Sequence, residues 1–500
     1  MTWGFEMRKQ TQRILSPRLR VAVSRRLNIP YLRIIPVNYP RLLIAGTHSG
    51  VGKTTITAGL MAALKHKGYK VQGFKAGPDY IDPSHHTYVT GIPSRNLDTW
   101  LMTKDVILEL FERSAARADI SIIEGVMGLY DGLGGDSEQG SSAHLAKILN
   151  APVLLVIDAK ALARSAAALV MGFQKFDPDI KLCGVIANNV AGPGHFEYVR
   201  TAIETYTSVP VVGYVPRDPA ISIQERHLGL VPYAEGRVET ERYEKLRNYV
   251  LAHVDCEQIL RLMEGHPLPR FQKTLFTATG NRPGPINRGR GPVIGIAMDE
   301  AFNFYYADNL DILEYLGARL VKFSPIHDAH LPKDVDVLYF GGGFPEVFAE
   351  ELAANKTLIQ EIRDFVNGLN PVYAECGGLM YLGESIQTFD GAVFDMVGVL
   401  PIRTTMMNKR MALGYTRAKV LRDTFLCPKG GEIIGHEFHW STLSESGEVT
   451  YAYETFKRIG GPKKYDGIQV KKVLASYLHV HFASNIETAR RFIQEVVSRS

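Results

Sequence analysis

In the stretch NPVYAECGGLMYL an apolar run leads into Cys376, and Gly377 and Gly378 follow before a helix-like segment. A strand-to-helix turn there exposes the thiol at the start of a helix, whose positive end favours thiolate. The Gly377 N–H can face a developing oxyanion, and Gly342 or Gly343 in FGGGFPE can supply a second donor. A nucleophilic thiolate needs a base. SYLHVHF supplies His479 and His481, which strand alternation would put on one face. A buried core cysteine is the bland alternative. The turn glycines and the paired histidines favour nucleophilic chemistry over it.

A second stretch with chemistry is LLIAGTHSGVGKTT, residues 42–55. Phosphate loops follow G-x-x-x-x-G-K-[ST], where backbone N–H groups cradle phosphate and the lysine reaches its outer oxygens. Gly52, Lys53 and Thr54 fit the end of that pattern. Thr47 holds the slot of the first glycine, and Gly46 sits one residue early. Thr47, Gly50, Gly52, Lys53, Thr54 and Thr55 are the expected phosphate-binding residues, with a helix N-terminus behind them. GFKAGPDYIDPSHH puts Lys75, Asp79 and Asp82 on the loop after the next strand, at the sheet edge that faces a nucleotide. IIEGVMGLYDG places Glu124 at the end of a buried strand. Glu124 and the Thr54 hydroxyl suit Mg²⁺ held through substrate phosphates. The bland alternatives are a solvated strand-end acid for Glu124 and ordinary turn residues beside proline for Asp79 and Asp82.

These motifs carry a resemblance. GTHSGVGKT is similar to the loop of dethiobiotin synthetase and its relatives, which use ATP to phosphorylate a carboxylate or a carbamate. Class I glutamine amidotransferases carry Cys-Gly at such an elbow and a late His-x-Glu. Here His481 stands in the glutamate slot, a departure shared with the cobyric-acid-synthase-like branch. That leaves open what orients His479, and His481 is one candidate. With KAGPDYIDPSHH, NLDTWLM, EGVMGLYDG, GGGFPE, AECGGLMYL, GHEFHWS and HVHFASN, residues 41 to about 497 resemble the cobyrinate a,c-diamide synthase family of cobalamin biosynthesis.

The resemblance implies a mechanism. Cys376 attacks the side-chain amide of glutamine and His479 moves the protons. ATP, with Mg²⁺, phosphorylates a tetrapyrrole carboxylate, and ammonia from glutamine displaces the phosphate, once on the c and once on the a side chain. Asp79, Asp82 and Glu124 work around the carboxylate and its activated form, with Lys75 beside them. Hydrogenobyrinate or Ni-sirohydrochlorin as the macrocycle is the near alternative. A ParA-like regulatory ATPase with an inactive glutaminase domain is the distant one. Such ATPases carry an early lysine where this loop has His48.

The elements that position these residues follow from the apolar pattern. RLLIAG, YKVQGFKAG, ADISIIEGV, APVLLVIDA, KLCGVIANNV and VPVVGYVP are Val/Ile/Leu-rich strands spaced by helices, the first helix running from Lys53 to Lys67. That spacing indicates a parallel sheet covered on both faces. VIGIAMD, ARLVKFS, VDVLYFGGG, NPVYAECGG, GEIIGHEFHWS and VLASYLHVHFAS form a second series. The expected fold is therefore two α/β domains: a P-loop-type synthetase domain, 41–262, and an amidotransferase-like domain, 292–500. A Pro/Gly/Arg-rich linker, 263–291, joins them.

Residues 1–40 hold eight Lys or Arg and one acid, so the net charge of +5 leaves −2 on the rest. The basic character belongs to this extension, which reads as non-core chain, with Met7 or a later codon as the start, or else as a targeting segment. No nucleic-acid partner follows from it. No apolar run is long enough to span a membrane. Four scattered cysteines, with neither zinc nor disulfide spacing, suit a reducing cytoplasm. The expected partners are small molecules, and a homodimer is one candidate assembly.

Overall fold

In a computed structural model the described residues are 38–218, 221, 236–276, 291–457 and 462–497. The expected extension lies outside them up to residue 37, as do residues 277–290 of the expected linker. The chain divides into two compact units, 1–274 and 275–500, so the boundary falls inside that linker. Residues just before it are packed chain. Met263 is buried in the core of the first unit, and the Thr274 N–H donates to Glu109. No described helix is long and apolar enough to cross a membrane.

The first unit is built on seven parallel strands: β1 (Arg41–Gly46), β2 (Val71–Ala76), β3 (Arg95–Leu97), β4 (Ile120–Glu124), β5 (Val153–Asp158), β6 (Leu182–Val190) and β7 (Val211–Pro216). Their order is β3-β2-β4-β1-β5-β6-β7. All six residues of β1 are buried, as a strand covered on both faces requires. The short edge strand β3, RNL, has no apolar run to announce it. Arg41 is fully buried at the start of β1. Its guanidinium donates to the carbonyls of Tyr39, Leu149, Asn150 and Pro267. Burial lowers its pKa to about 10. The parallel arrangement brings the loops after β1, β2 and β4 to one edge.

The second unit contains β8 (Val293–Ala297), β9 (Phe302–Phe304), β10 (Arg319–Phe323), β11 (Val337–Phe340), β12 (Gly342–Gly343), β13 (Val372–Glu375), β14 (Ser385–Gln387), β15 (Val393–Asp395), β16 (Ile402–Met406), β17 (Ala412–Val420), β18 (Glu432–His439), β19 (Ser441–Glu445), β20 (Tyr451–Phe456), β21 (Lys464–Val470) and β22 (Val473–Ser476). Nine form one sheet, β10-β8-β11-β13-β22-β21-β20-β17-β18. The first five pair in parallel and the rest antiparallel. Both units are thus α/β, as the sequence indicates. The reading of VLASYLHVHFAS as one strand is corrected, because β22 stops at Ser476. Asp466 accepts from the Ser476 hydroxyl (2.6 Å) and the Tyr477 N–H (3.1 Å), and Leu478 N–H turns onto Ser476 Oγ (3.0 Å). These bonds replace the ladder.

Candidate active site

The phosphate loop joins β1 to the helix Lys53–His66. Its early glycine has a packing reason: a Cβ on Gly46 would overlap Val51 Cγ1. Gly52 sits in the left-handed region, φ 96°, at the helix N-cap. A Cβ there would also strike the Asn188 amide, which donates to the Val51 carbonyl (2.8 Å) and fastens the loop to β6. Gly50 is left-handed too. Lys53 is buried, with Nζ 3.5 Å from the His48 carbonyl. Thr47 Oγ1 meets His48 Nδ1 at 2.9 Å, and Thr55 is buried on the helix.

Glu124, at the end of β4, is fully buried rather than solvated. Its Oε1 accepts from Thr54 Oγ1 (2.7 Å) and Lys75 Nζ (3.1 Å), and its Oε2 meets His86 Nε2 at 2.7 Å. Lys75 Nζ also pairs with Asp82 Oδ2 at 2.5 Å and donates to the Gly125 carbonyl at 3.0 Å. Thr54 Oγ1 lies 3.2 Å from Asp82 Oδ1. The sheet edge therefore gathers Thr54, Lys75, Asp82 and Glu124 into one cluster. Burial works against charge on Lys75, but Asp82 and Glu124 more than offset it and hold the ammonium well above its ordinary range. Burial likewise opposes charge on Asp82, and Lys75 overcomes it, leaving that carboxyl below its usual range.

Asp79 makes a different set of contacts. Its Oδ1 accepts from the N–H groups of Ile81 (2.7 Å) and Asp82 (3.2 Å), so it shapes the turn into the helix Ile81–Thr90. Burial, then the charge of Asp82, pushes Asp79 up to about 7. His86 was not anticipated. The signal was its position four residues after Asp82 on the same helix, which stacks the two on one face.

On the second unit β13 runs into Cys376, whose backbone (φ 47°, ψ −101°) lies outside the ordinary allowed regions. The helix Gly377–Leu382 follows at once. The Cys376 N–H donates to the Ser476 carbonyl (2.8 Å), and Sγ lies 3.6 Å from the Phe438 carbonyl. A Cβ on Gly377 would sit 3.0 Å from the Gly343 nitrogen, and one on Gly342 2.5 Å from His479 Cε1. Gly342, Gly343 and Gly377 thus border the cysteine and the histidine.

His479 is buried, and the Cys376 thiol and the Glu375 carboxylate act on its imidazole. Its Nδ1 is 3.7 Å from Glu375 Oε2. Burial opposes charge on the imidazole, but Cys376 and Glu375 more than offset it and raise it to about 10. His481 serves another purpose. Its Nδ1 accepts from the Ala483 N–H (3.2 Å), capping the turn Phe482–Ser484, and its ring packs 4.4 Å from Tyr306. The carboxylate beside His479 is Glu375, one residue before the cysteine, and sequence spacing gave no hint of it. His436 falls to about 3 and His439 to about 4, both mainly through burial.

A phosphate loop on a parallel sheet, with a strained cysteine and a buried histidine at a second sheet, defines a nucleotide-binding glutamine amidotransferase. The comparisons agree. Residues 42–231 match the CobQ/CobB/MinD/ParA nucleotide binding domain, and residues 293–486 the CobB/CobQ-like glutamine amidotransferase domain. The chain is 43% identical over 462 residues to the cobyrinate a,c-diamide synthase of Dehalococcoides mccartyi (strain CBDB1), covering 92% of this chain and 98% of the relative. It is 45% identical over 455 residues to that of Listeria monocytogenes serovar 1/2a, covering 89% and 97%. For Archaeoglobus fulgidus the figures are 43% over 468 residues, 94% and 100%. The chain belongs to the cobyrinate a,c-diamide synthase family. It is a ligase that forms carbon–nitrogen bonds with nitrogen from glutamine.

Proposed function

We propose that this chain amidates the a and c carboxylates of cobyrinate, with ATP and glutamine as co-substrates. The observation that carries the reading is the end-to-end match to relatives of that name, with both sites present. A carboxylate is a poor electrophile, and phosphorylation gives it a leaving group. Lys53 and the loop N–H groups of residues 47–55 hold the nucleotide phosphates. Lys75, fixed between Asp82 and Glu124, faces the carboxylate as its negative charge is redistributed. Asp79 keeps that loop in place. The oxygen donors Thr54 and Glu124 fit Mg²⁺ chemistry; bound there, the ion would neutralise phosphate charge.

At the second site Cys376 attacks the glutamine amide carbon, and the Gly342, Gly343 and Gly377 backbone receives the oxyanion. His479 passes its proton to the departing ammonia, then takes one from the water that cleaves the thioester. Ammonia displaces phosphate from the acyl phosphate. The use of ATP and glutamine supports a cytoplasmic location.

The test is purified chain with cobyrinate, hydrogenobyrinate or Ni-sirohydrochlorin, plus ATP, Mg²⁺ and glutamine, with products read by mass. Double amidation of cobyrinate is expected; turnover of another macrocycle alone overturns the substrate. Cys376→Ser should lose glutamine-dependent amidation and keep the ammonia-dependent reaction.

A further inference from the structure

We propose that Glu375 is the positioning carboxylate of His479, doing from the strand before the nucleophile what class I amidotransferases do from two residues after the histidine. The proposal rests on the reading that Cys376 hydrolyses glutamine. Glu375 ends β13 and is 1% exposed. A buried carboxylate must be bonded or paired. Its Oε1 accepts from the Tyr373 hydroxyl (2.7 Å) and the Val480 N–H (3.1 Å). Its Oε2 accepts from the Tyr339 hydroxyl (3.2 Å) and faces His479 Nδ1 at 3.7 Å. Three donors on three segments hold the carboxylate still, and one of them, Val480, is the residue next to the histidine. Burial, then the charge of Glu375 itself, keeps both tyrosines protonated and donating.

That arrangement fixes which face of the imidazole meets the thiol. A carboxylate at Nδ1 favours a proton there and supports the imidazolium that pairs with thiolate. The other titratable groups facing the pair are Cys376, Tyr305, Tyr453, His436 and His439. The two histidines are neutral near pH 7 and the tyrosines stay protonated, so Glu375 is the anion that acts on His479 besides the thiolate.

The experiment compares Glu375→Gln and Glu375→Asp. Glu375→Gln should cut the glutaminase rate by about 10²-fold or more. It should also move the pH profile of Cys376 alkylation by iodoacetamide to higher pH, because thiolate loses its imidazolium partner. Glu375→Asp keeps the charge and should shift the profile less. If Glu375→Gln does not fold, the smaller shift in Glu375→Asp is the readout. A folded variant with an unshifted alkylation profile overturns the proposal. Neither readout needs a tetrapyrrole or ATP, so failure to amidate cobyrinate would count against the substrate reading and not against Glu375.

Discussion

His86 Nε2 lies 2.7 Å from Glu124 Oε2, while Thr54 and Lys75 take the other oxygen of the same carboxylate. Both partners are fully buried. Glu124 is therefore aimed: one oxygen is spent on the fold and the other is presented to the phosphate loop. His86→Ala should leave a buried carboxylate oxygen unpaired, costing about 1–3 kcal/mol. Ammonia-dependent amidation should fall at least about tenfold, and glutaminase activity should persist. His86→Gln keeps a donor and should recover part of the loss. Equal amidation by wild type and His86→Ala would show that the aim of Glu124 is irrelevant.

Lys53→Ala removes the one lysine of the phosphate loop. Amidation should vanish with either nitrogen source, and basal glutamine hydrolysis should continue. Normal ammonia-dependent turnover in this variant, measured with ATP near saturation, would mean that the loop does not hold the reacting nucleotide.

The charge on His479 predicts a pH dependence. Its imidazole is raised to about 10 in the folded chain, against about 6.5 for an ordinary histidine. A group raised by folding stabilises fully below its unfolded value and loses that contribution as pH climbs to its folded value. Thermal stability should therefore decline between about pH 6.5 and about pH 10, and His479→Asn should flatten that slope. The same variant should lower the glutaminase rate by about 10². His481→Asn should behave oppositely, with a lower melting temperature from the lost ring packing on Tyr306 and a smaller kinetic effect. A melting curve series and a glutaminase assay on both variants decide this. A dead His481→Asn beside a near-normal His479→Asn would exchange the roles.

Gly342 borders the same ring. An alanine Cβ would stand 2.5 Å from His479 Cε1. Gly342→Ala should push the imidazole out of line and abolish glutamine-dependent amidation, with ammonia still accepted. Gly135→Ala is the control, since nothing lies within 4 Å of its Cβ position. Glutaminase activity unchanged in Gly342→Ala would remove this glycine from the site.

Much of this arrangement was legible in the sequence because it is local. The strand, turn and helix around Lys53 and around Cys376 are written in contiguous residues, and the buried parallel strands announce themselves as apolar runs. What escaped was built by contacts across the fold. Glu375 reads as an ordinary strand residue until β22 brings His479 beside it. His86 reads as one of two histidines on a short helix until β4 delivers Glu124. The antiparallel strands β17, β20 and β21 are half-polar and carried no clear run. The end of β22 depends on Asp466, which lies outside the run it terminates.

The backbone around the second site has a kinetic side. His479 and His436 exchange two backbone hydrogen bonds, 2.8 and 3.0 Å, and Cys376 is bonded to Ser476 on the strand that leads to His479. Cys376 is thus held at the middle of the nine-stranded sheet, between β13 and β22, and His479 by an isolated bridge to the edge strand β18. The amide proton of Cys376 should exchange with solvent only when the centre of the sheet opens, and that of His479 when its edge strand lifts. On heating, glutamine hydrolysis should then disappear as β18 detaches, before the centre of the sheet is lost.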